Sequence, residues 1–283
     1  FDDFVQDDGL PNMRGPEVGQ LGLSLSLLAR YLHYTGDAPR LRRLLPKIAA
    51  TAQVLCALHD HALALPRTAS GHGLLHGWNE SDACLFPDPS LWWKPYYANS
   101  ALSIRGWEDI AQVWSTLGGD AGQAAQWLRR AKQLRVRLEA SVRANVRGDL
   151  SPPYVGPLPG TTMTFRQSLL QEKPSEQQWP HRAYAELLQA DVLPDDLANL
   201  VVDCLRGHGG TSIGVVANIA PPEPCSRDLL GFISYGYAQQ LLRLDRIEEY
   251  LLFVYAHRYH VHTRGSWTAG EVSGITGCMP LFC

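Results

Sequence analysis

Apolar residues recur along this chain with the period of a helix. Val18, Leu21, Leu25, Leu28 and Leu32 form one stripe, and Leu41, Leu44, Leu45, Ile48, Ala52 and Leu55 form the next. Trp127, Ala131, Leu134 and Leu138 make a third, and Leu197, Leu200, Val201, Cys204 and Leu205 a fourth. Ile247, Tyr250, Leu251 and Val254 repeat the spacing near the end. Spacings of three and four put each set on one helix face. The pattern predicts about eight helices, at roughly 17–34, 38–59, 95–117, 121–145, 180–190, 196–206, 230–243 and 246–258.

Polar and turn residues punctuate these stripes unevenly. Tight turns at Thr35-Gly36-Asp37, Gly118-Gly119-Asp120, Leu193-Pro194-Asp195-Asp196 and Leu244-Asp245-Arg246 join the helices in pairs. Gly36 and Gly119 are placed to supply the left-handed residue that ends a helix. Asp120 with Gln123, and Asp245 with Glu248, read as capping boxes. Between the pairs lie long segments, roughly 60–94, 147–179, 207–229 and 259–283. Helix hairpins joined this way put every short turn on one face and every long loop on the other. The Pro- and Gly-rich stretch 148–178 reads as an inserted loop with a short strand pair near 161–165, and Pro221-Pro222-Glu223-Pro224 as a rigid connector. Hairpins of one style continue on both sides of each, so the expectation is a single domain over 1–283.

Composition narrows the function. The chain has 283 residues, 45% of them hydrophobic, enough for one large core or two small ones. A net charge of −3 without a basic stripe argues against a nucleic-acid partner. No run of about 18 apolar residues occurs, so no membrane partner is expected. Phe1 is not preceded by Met and no signal-peptide pattern follows; the chain reads as processed or as a piece of something longer, with a secreted location favoured. Cys56 and Cys204 fall on apolar helix positions and read as core thiols, whereas Cys84, Cys225, Cys278 and Cys283 lie in loops, where pairing is open. No Cys-x-x-Cys pair occurs, and the histidines (His59 and His61; His257, His260 and His262) match no zinc spacing, so neither metal nor cofactor is expected. A serine nucleophile is also unsupported, because no Gly-x-Ser-x-Gly elbow occurs.

The long segments carry the chemistry. Five of the eight tryptophans (Trp78, Trp92, Trp93, Trp179 and Trp267) lie in them or at their edges. The stretch 71–95 combines glycines and Trp78, Trp92 and Trp93 with Glu80, Asp82 and Asp88. Indole faces stack on the C–H faces of sugar rings, and a carboxyl raised in pKa by aromatic neighbours and a second acid can protonate a glycosidic oxygen. Glu80 and Asp82 are two residues apart, close enough to perturb each other. The same residues suit a plain capping and turn segment. A sequon, Asn79-Glu80-Ser81, falls inside this stretch and is expected to be unmodified. In 263–277 a lone Glu271 sits among small residues near Arg264 and Trp267, placed to activate a water. Arg14 and Glu17, before the first helix, are candidate ligands for substrate hydroxyls; Glu17 equally suits a helix start. Tyr96 and Asn99 begin another helix and are further candidate contacts, as is His181. Arg105 is expected to pair with Glu108 or Asp109.

The chain resembles the six-hairpin glycosidase superfamily, whose members include glucoamylases and processing α-glucosidases. Two features carry the resemblance: the loop Gly77-Trp78-Asn79-Glu80-Ser81-Asp82 before a helix, and Glu271 shortly before Thr276-Gly277. The resemblance implies an all-α fold, an (α/α)6 toroid with its long loops on one face. It also implies a glycoside hydrolase, inverting, acting on an oligosaccharide or polysaccharide, with Glu80 or Asp82 as acid and Glu271 as base. The departure is the helix count, since a full toroid has twelve; the missing hairpins precede Phe1, or the ring is incomplete. Rival readings are a phosphorylase, with Arg14 and Arg264 facing phosphate, a polysaccharide lyase, and a helical-repeat scaffold. Oligomeric state is open in the sequence.

Overall fold

The structure, a computed structural model, describes residues 1–11, 17–79, 88–165, 167, 180–217, 228–263, 265–270 and 273–274. It is mostly helical and built of helix hairpins, as the all-α reading requires. It divides into two compact units, Phe1–Ser141 and Val142–Cys283.

The first unit holds α1 (Val18–Thr35), α2 (Ala38–Arg43), α3 (Leu45–Ala64), α4 (Tyr97–Trp114) and nearly all of α5 (Ala121–Ala144). α1 ends where Gly36 turns left-handed (φ 68°) and its N–H reaches the Leu32 carbonyl. Asp37 then caps α2, accepting from the Arg40 N–H at 3.1 Å. The single helix expected over 38–59 is two helices, broken at Leu44. Pro46 is the reason: it has no N–H to give the Arg42 carbonyl, and its ring crowds that carbonyl. α3 runs on to Ala64, into the segment expected to be loop.

Contacts along the helices fix their directions. Trp114 meets Trp127, Glu108 meets Arg135, and Tyr97 meets Ser141, so α4 and α5 are antiparallel. α1 and α4 instead run parallel, because Gly22 lies on Leu102 and Ser26 donates to Asp109. Both helices therefore begin at the same end of the unit. Asp109 also pairs with Arg105 at 2.7 Å, as expected, while Glu108 pairs across to Arg135. Gly22 and Gly106 let the two backbones touch; a Cβ on Gly106 would stand 2.4 Å from the Gly22 carbonyl oxygen.

The second unit repeats the plan with α6 (Pro180–Gln189), α7 (Asp195–Gly207), α8 (Tyr235–Arg243) and α9 (Ile247–Ala256). Gly236 packs on Ala185 and Gln189, and Gln240 donates to the Leu188 carbonyl, so α6 and α8 are parallel. Arg246 reaches Asn199 and Asp203 while Arg206 reaches Glu249, so α7 and α9 are parallel too. In each unit, taken by itself, the first helices of two successive hairpins pack through glycine.

Local expectations fare unequally. Asp120 caps α5 through the Gln123 N–H at 2.9 Å, but Gln123 spends its side chain on Trp114 instead of closing the box. Asp245 caps nothing: it is itself left-handed (φ 57°), and α9 starts after Arg246 without a side-chain cap. The left-handed glycine after α4 is Gly118 (φ 90°), not Gly119, whose missing Cβ makes room for the Trp114 ring. No strand forms at 161–165. Phe165 turns inward and stacks edge-on with Tyr154 and Tyr184 at 5.1 and 5.2 Å, and burying that ring outweighs a short ladder. Strand pairing occurs instead between Thr211–Ser212 (β1) and Val215–Val216 (β2), and between Asp228–Leu229 (β3) and Ser273–Gly274 (β4). Cys56 and Cys204 are buried thiols, as expected. Burial pushes them up to about 11 and about 12 respectively, which keeps both protonated and inert. No described helix is long and apolar enough to cross a membrane.

Candidate functional site

In the first unit, three separate stretches of chain meet where α1 and α4 begin. Gly77 and Lys94 exchange backbone hydrogen bonds of 3.0 and 3.4 Å, pinning the two ends of the Trp-rich loop together. The Val18 N–H, one of the unpaired amides at the start of α1, donates to the Trp78 carbonyl at 3.0 Å. From α4, Asn99 donates to the Gly77 carbonyl at 3.1 Å, and the Ser100 hydroxyl accepts from the Leu75 N–H at 3.0 Å. Only glycine fits at position 77, because a Cβ there would lie 2.1 Å from Val18 Cγ2. The loop is thus tied to both helix starts by main chain and by two buried polar side chains.

Within this knot Glu17 is 3% exposed and accepts a hydrogen bond from the Gln20 amide. Its side chain does not cap α1. Trp78 and Trp93, both half-buried, meet edge to face with centroids 5.2 Å apart. Glu17 is bridged to Trp78 through the backbone, and two partly exposed indoles can take up the C–H face of a sugar ring. Trp92, Tyr96 and Asn99 are buried, in the packing beneath. Asp88 accepts from the Ser90 N–H at 3.2 Å, starting the 3-10 turn Pro89–Trp92. Asn79 is buried too, which suits an unmodified sequon.

The structure therefore brings together Glu17, Trp78 and Trp93 from two of the stretches singled out in sequence. Arg14, Glu80, Asp82, Arg264 and Glu271 lie outside the described residues, as does the side chain of His181, in the first turn of α6.

Trp267 belongs to the second unit. It is left-handed (φ 57°), half-exposed, and lies under the Arg258 guanidinium at 5.0 Å. Around it Phe253, Val254, His257, Arg258 and His262 line a cavity of about 390 Å³. His257 stacks on Phe253 at 5.2 Å and on His262 at 4.9 Å. Burial, then the neighbouring His262, lowers its pKa from the usual imidazole value. In sequence these histidines match no zinc spacing, and Arg258 belongs to no motif. One signal was available: Phe253 and His257 are four apart and share a helix face. What sequence could not show is the π-turn over His257–Val261, which follows α9 directly and sets where Arg258 and His262 go. No cluster of three or more metal-ligating side chains converges among the described residues.

No family model matches the sequence, and no curated protein matches it. Among solved structures the chain is similar to a rhamnosidase from Klebsiella oxytoca with rhamnose bound, at 13% identity and a TM-score of 0.49. The similarity covers 85% of this chain and 37% of that one, so this chain spans little more than a third of that protein's length. A likeness at this level assigns neither activity nor residues.

Proposed function

We propose that this chain is a glycoside hydrolase acting by inversion on an oligosaccharide or polysaccharide. The observation that supports it is the half-exposed Trp78–Trp93 pair at the common start of α1 and α4, with the buried Glu17 bridged to Trp78 through the backbone. Glu80 and Asp82 follow Trp78 and Asn79 directly in the sequence. In this reading Glu80 or Asp82 protonates the leaving oxygen, and Glu271 takes a proton from the attacking water. Inversion asks for carboxyl groups about 6.5–9.5 Å apart with that water between them. Trp78, Trp93 and Trp267 stack on sugar rings, and Glu17, Arg14 and Arg264 bind hydroxyls. The proposal includes a single catalytic domain of toroid type, supported by the same hairpin plan recurring in each unit.

The test is hydrolysis of a panel of aryl glycosides and oligosaccharides by the wild type, Glu80→Gln, Asp82→Asn and Glu271→Gln, with circular dichroism as a folding check. Turnover lost in Glu271→Gln and in one of the other two supports the two-carboxylate mechanism and names its acid. Full turnover in all three variants removes that mechanism. Activity on phosphate and sugar, or elimination from a uronate, would point to a phosphorylase or a lyase instead.

A further inference from the structure

The cavity beside Trp267 holds an arginine unlike its neighbours. Among the described side chains of the second unit, Arg143, Arg147, Arg206, Arg243 and Arg246 each meet a carboxylate. Arg258 meets none among the described residues; its contacts are the rings of Trp267 at 5.0 Å and Tyr259 at 5.9 Å. Ring contacts leave its N–H donors unspent, and a guanidinium with spare donors is shaped to take a carboxylate or phosphate two-pronged. Two backbone departures shape the same cavity: the π-turn that carries Arg258, and the left-handed Trp267, a conformation a bulky side chain rarely adopts.

The remaining lining says what carries the anion. Phe253 and Val254 supply an apolar wall. His262 Nδ1 lies 3.1 Å from the His257 carbonyl, which can only accept, so in the neutral ring Nδ1 donates there and Nε2 is left as an acceptor. An acceptor suits a hydroxyl, not an anion. A volume of about 390 Å³ lies at the small end for ligand sites and suits one ring.

We propose that this cavity is a binding site for an acidic sugar, whose anionic group is held by Arg258, whose ring packs on Trp267, Phe253 and Val254, and whose hydroxyl donates to His262. The sugar half of this proposal rests on the hydrolase reading; the anion half stands on Arg258.

Isothermal titration of the whole chain with glucuronate, glucose 6-phosphate and glucose, at low and high salt, tests it. The expected result is binding of glucuronate or of glucose 6-phosphate at least about tenfold tighter than glucose, weakened by salt. Which of the two binds distinguishes carboxylate from phosphate. Arg258→Gln should remove that preference, and Trp267→Leu should weaken binding of the preferred ligand. Arg258 is exposed and Trp267 half-exposed, so both variants should fold. Equal binding of glucose, no binding of any of the three, or full affinity retained in Arg258→Gln overturns the proposal. Neutral aryl glycoside turnover reports the hydrolase reading separately, so an inactive Glu271→Gln that still binds glucuronate separates the two claims.

Discussion

Gly22 of α1 and Gly106 of α4 pack backbone to backbone. A Cβ on Gly22 would lie 2.2 Å from the Leu102 carbonyl oxygen, and one on Gly106 would lie 2.4 Å from the Gly22 carbonyl oxygen. Neither obstacle is a flexible side chain. Gly22→Ala should therefore cost about 2 kcal/mol or more, by forcing two buried helices apart. Gly36→Ala has open space around it and only a left-handed φ to pay for, roughly 1 kcal/mol. Urea denaturation of both variants checks the order, and equal losses would contradict close packing of α1 on α4.

His59 makes acid the weak side of the first unit. Its ring is fully buried near Trp107, and neither ring nitrogen has a partner among the described residues. Burial first, and the Arg130 charge second, lower its pKa from 6.5 to about 4. Between those two pH values the unfolded chain binds a proton that the folded chain refuses. Stability is full above the upper value, falls as pH drops through the window, and levels off below the lower one. The loss is at most roughly 3 kcal/mol. His59→Leu should remove this contribution to the slope and raise stability at neutral pH by roughly 1–2 kcal/mol. Thermal melts across the window measure both effects.

Two aspartates that look alike in sequence should respond oppositely. Asp120→Ala removes a cap from α5 and should cost about 1 kcal/mol. Asp245 caps nothing and sits left-handed, so Asp245→Gly should be neutral or stabilising by up to about 0.5 kcal/mol. A comparable loss at both positions would restore the capping-box reading of Asp245.

The tryptophans of 71–95 should separate by burial. Trp78→Ala and Trp93→Ala should lower kcat/KM on a glycoside by about tenfold or more, with smaller effects on folding. Trp92→Ala empties a buried site and should cost about 3–5 kcal/mol of stability instead. Melting temperatures and steady-state kinetics on the three variants resolve this.

Much of the helical plan was legible because it rests on local rules. The stripe through Val18, Leu21, Leu25 and Leu28 is buried as its spacing required, and Gly36 ends α1 as its place in the turn suggested. Misses came where a local rule met a stronger neighbour. Pro46 split a stripe that looked continuous, and Phe165 left a strand for an aromatic cluster. Gly119 gave up the left-handed role because the Trp114 ring needed its missing Cβ. The Trp-rich loop was recognisable from composition, but Trp92 and Trp93 are adjacent and alike in sequence, and only packing makes one a core side chain and the other a half-exposed ring.

By itself the sequence determined the helix class, the pairing into hairpins and the alternation of short and long connections, because periodicity, turn glycines and prolines act over a few residues. Tertiary structure decided that α1 and α4 run parallel on a glycine contact, that Glu17 is buried beside Trp78, and that Arg258 comes to rest on Trp267. Those relationships join residues from 9 to 84 positions apart in the chain. They depend on which surfaces close on one another, and no local pattern carries that information.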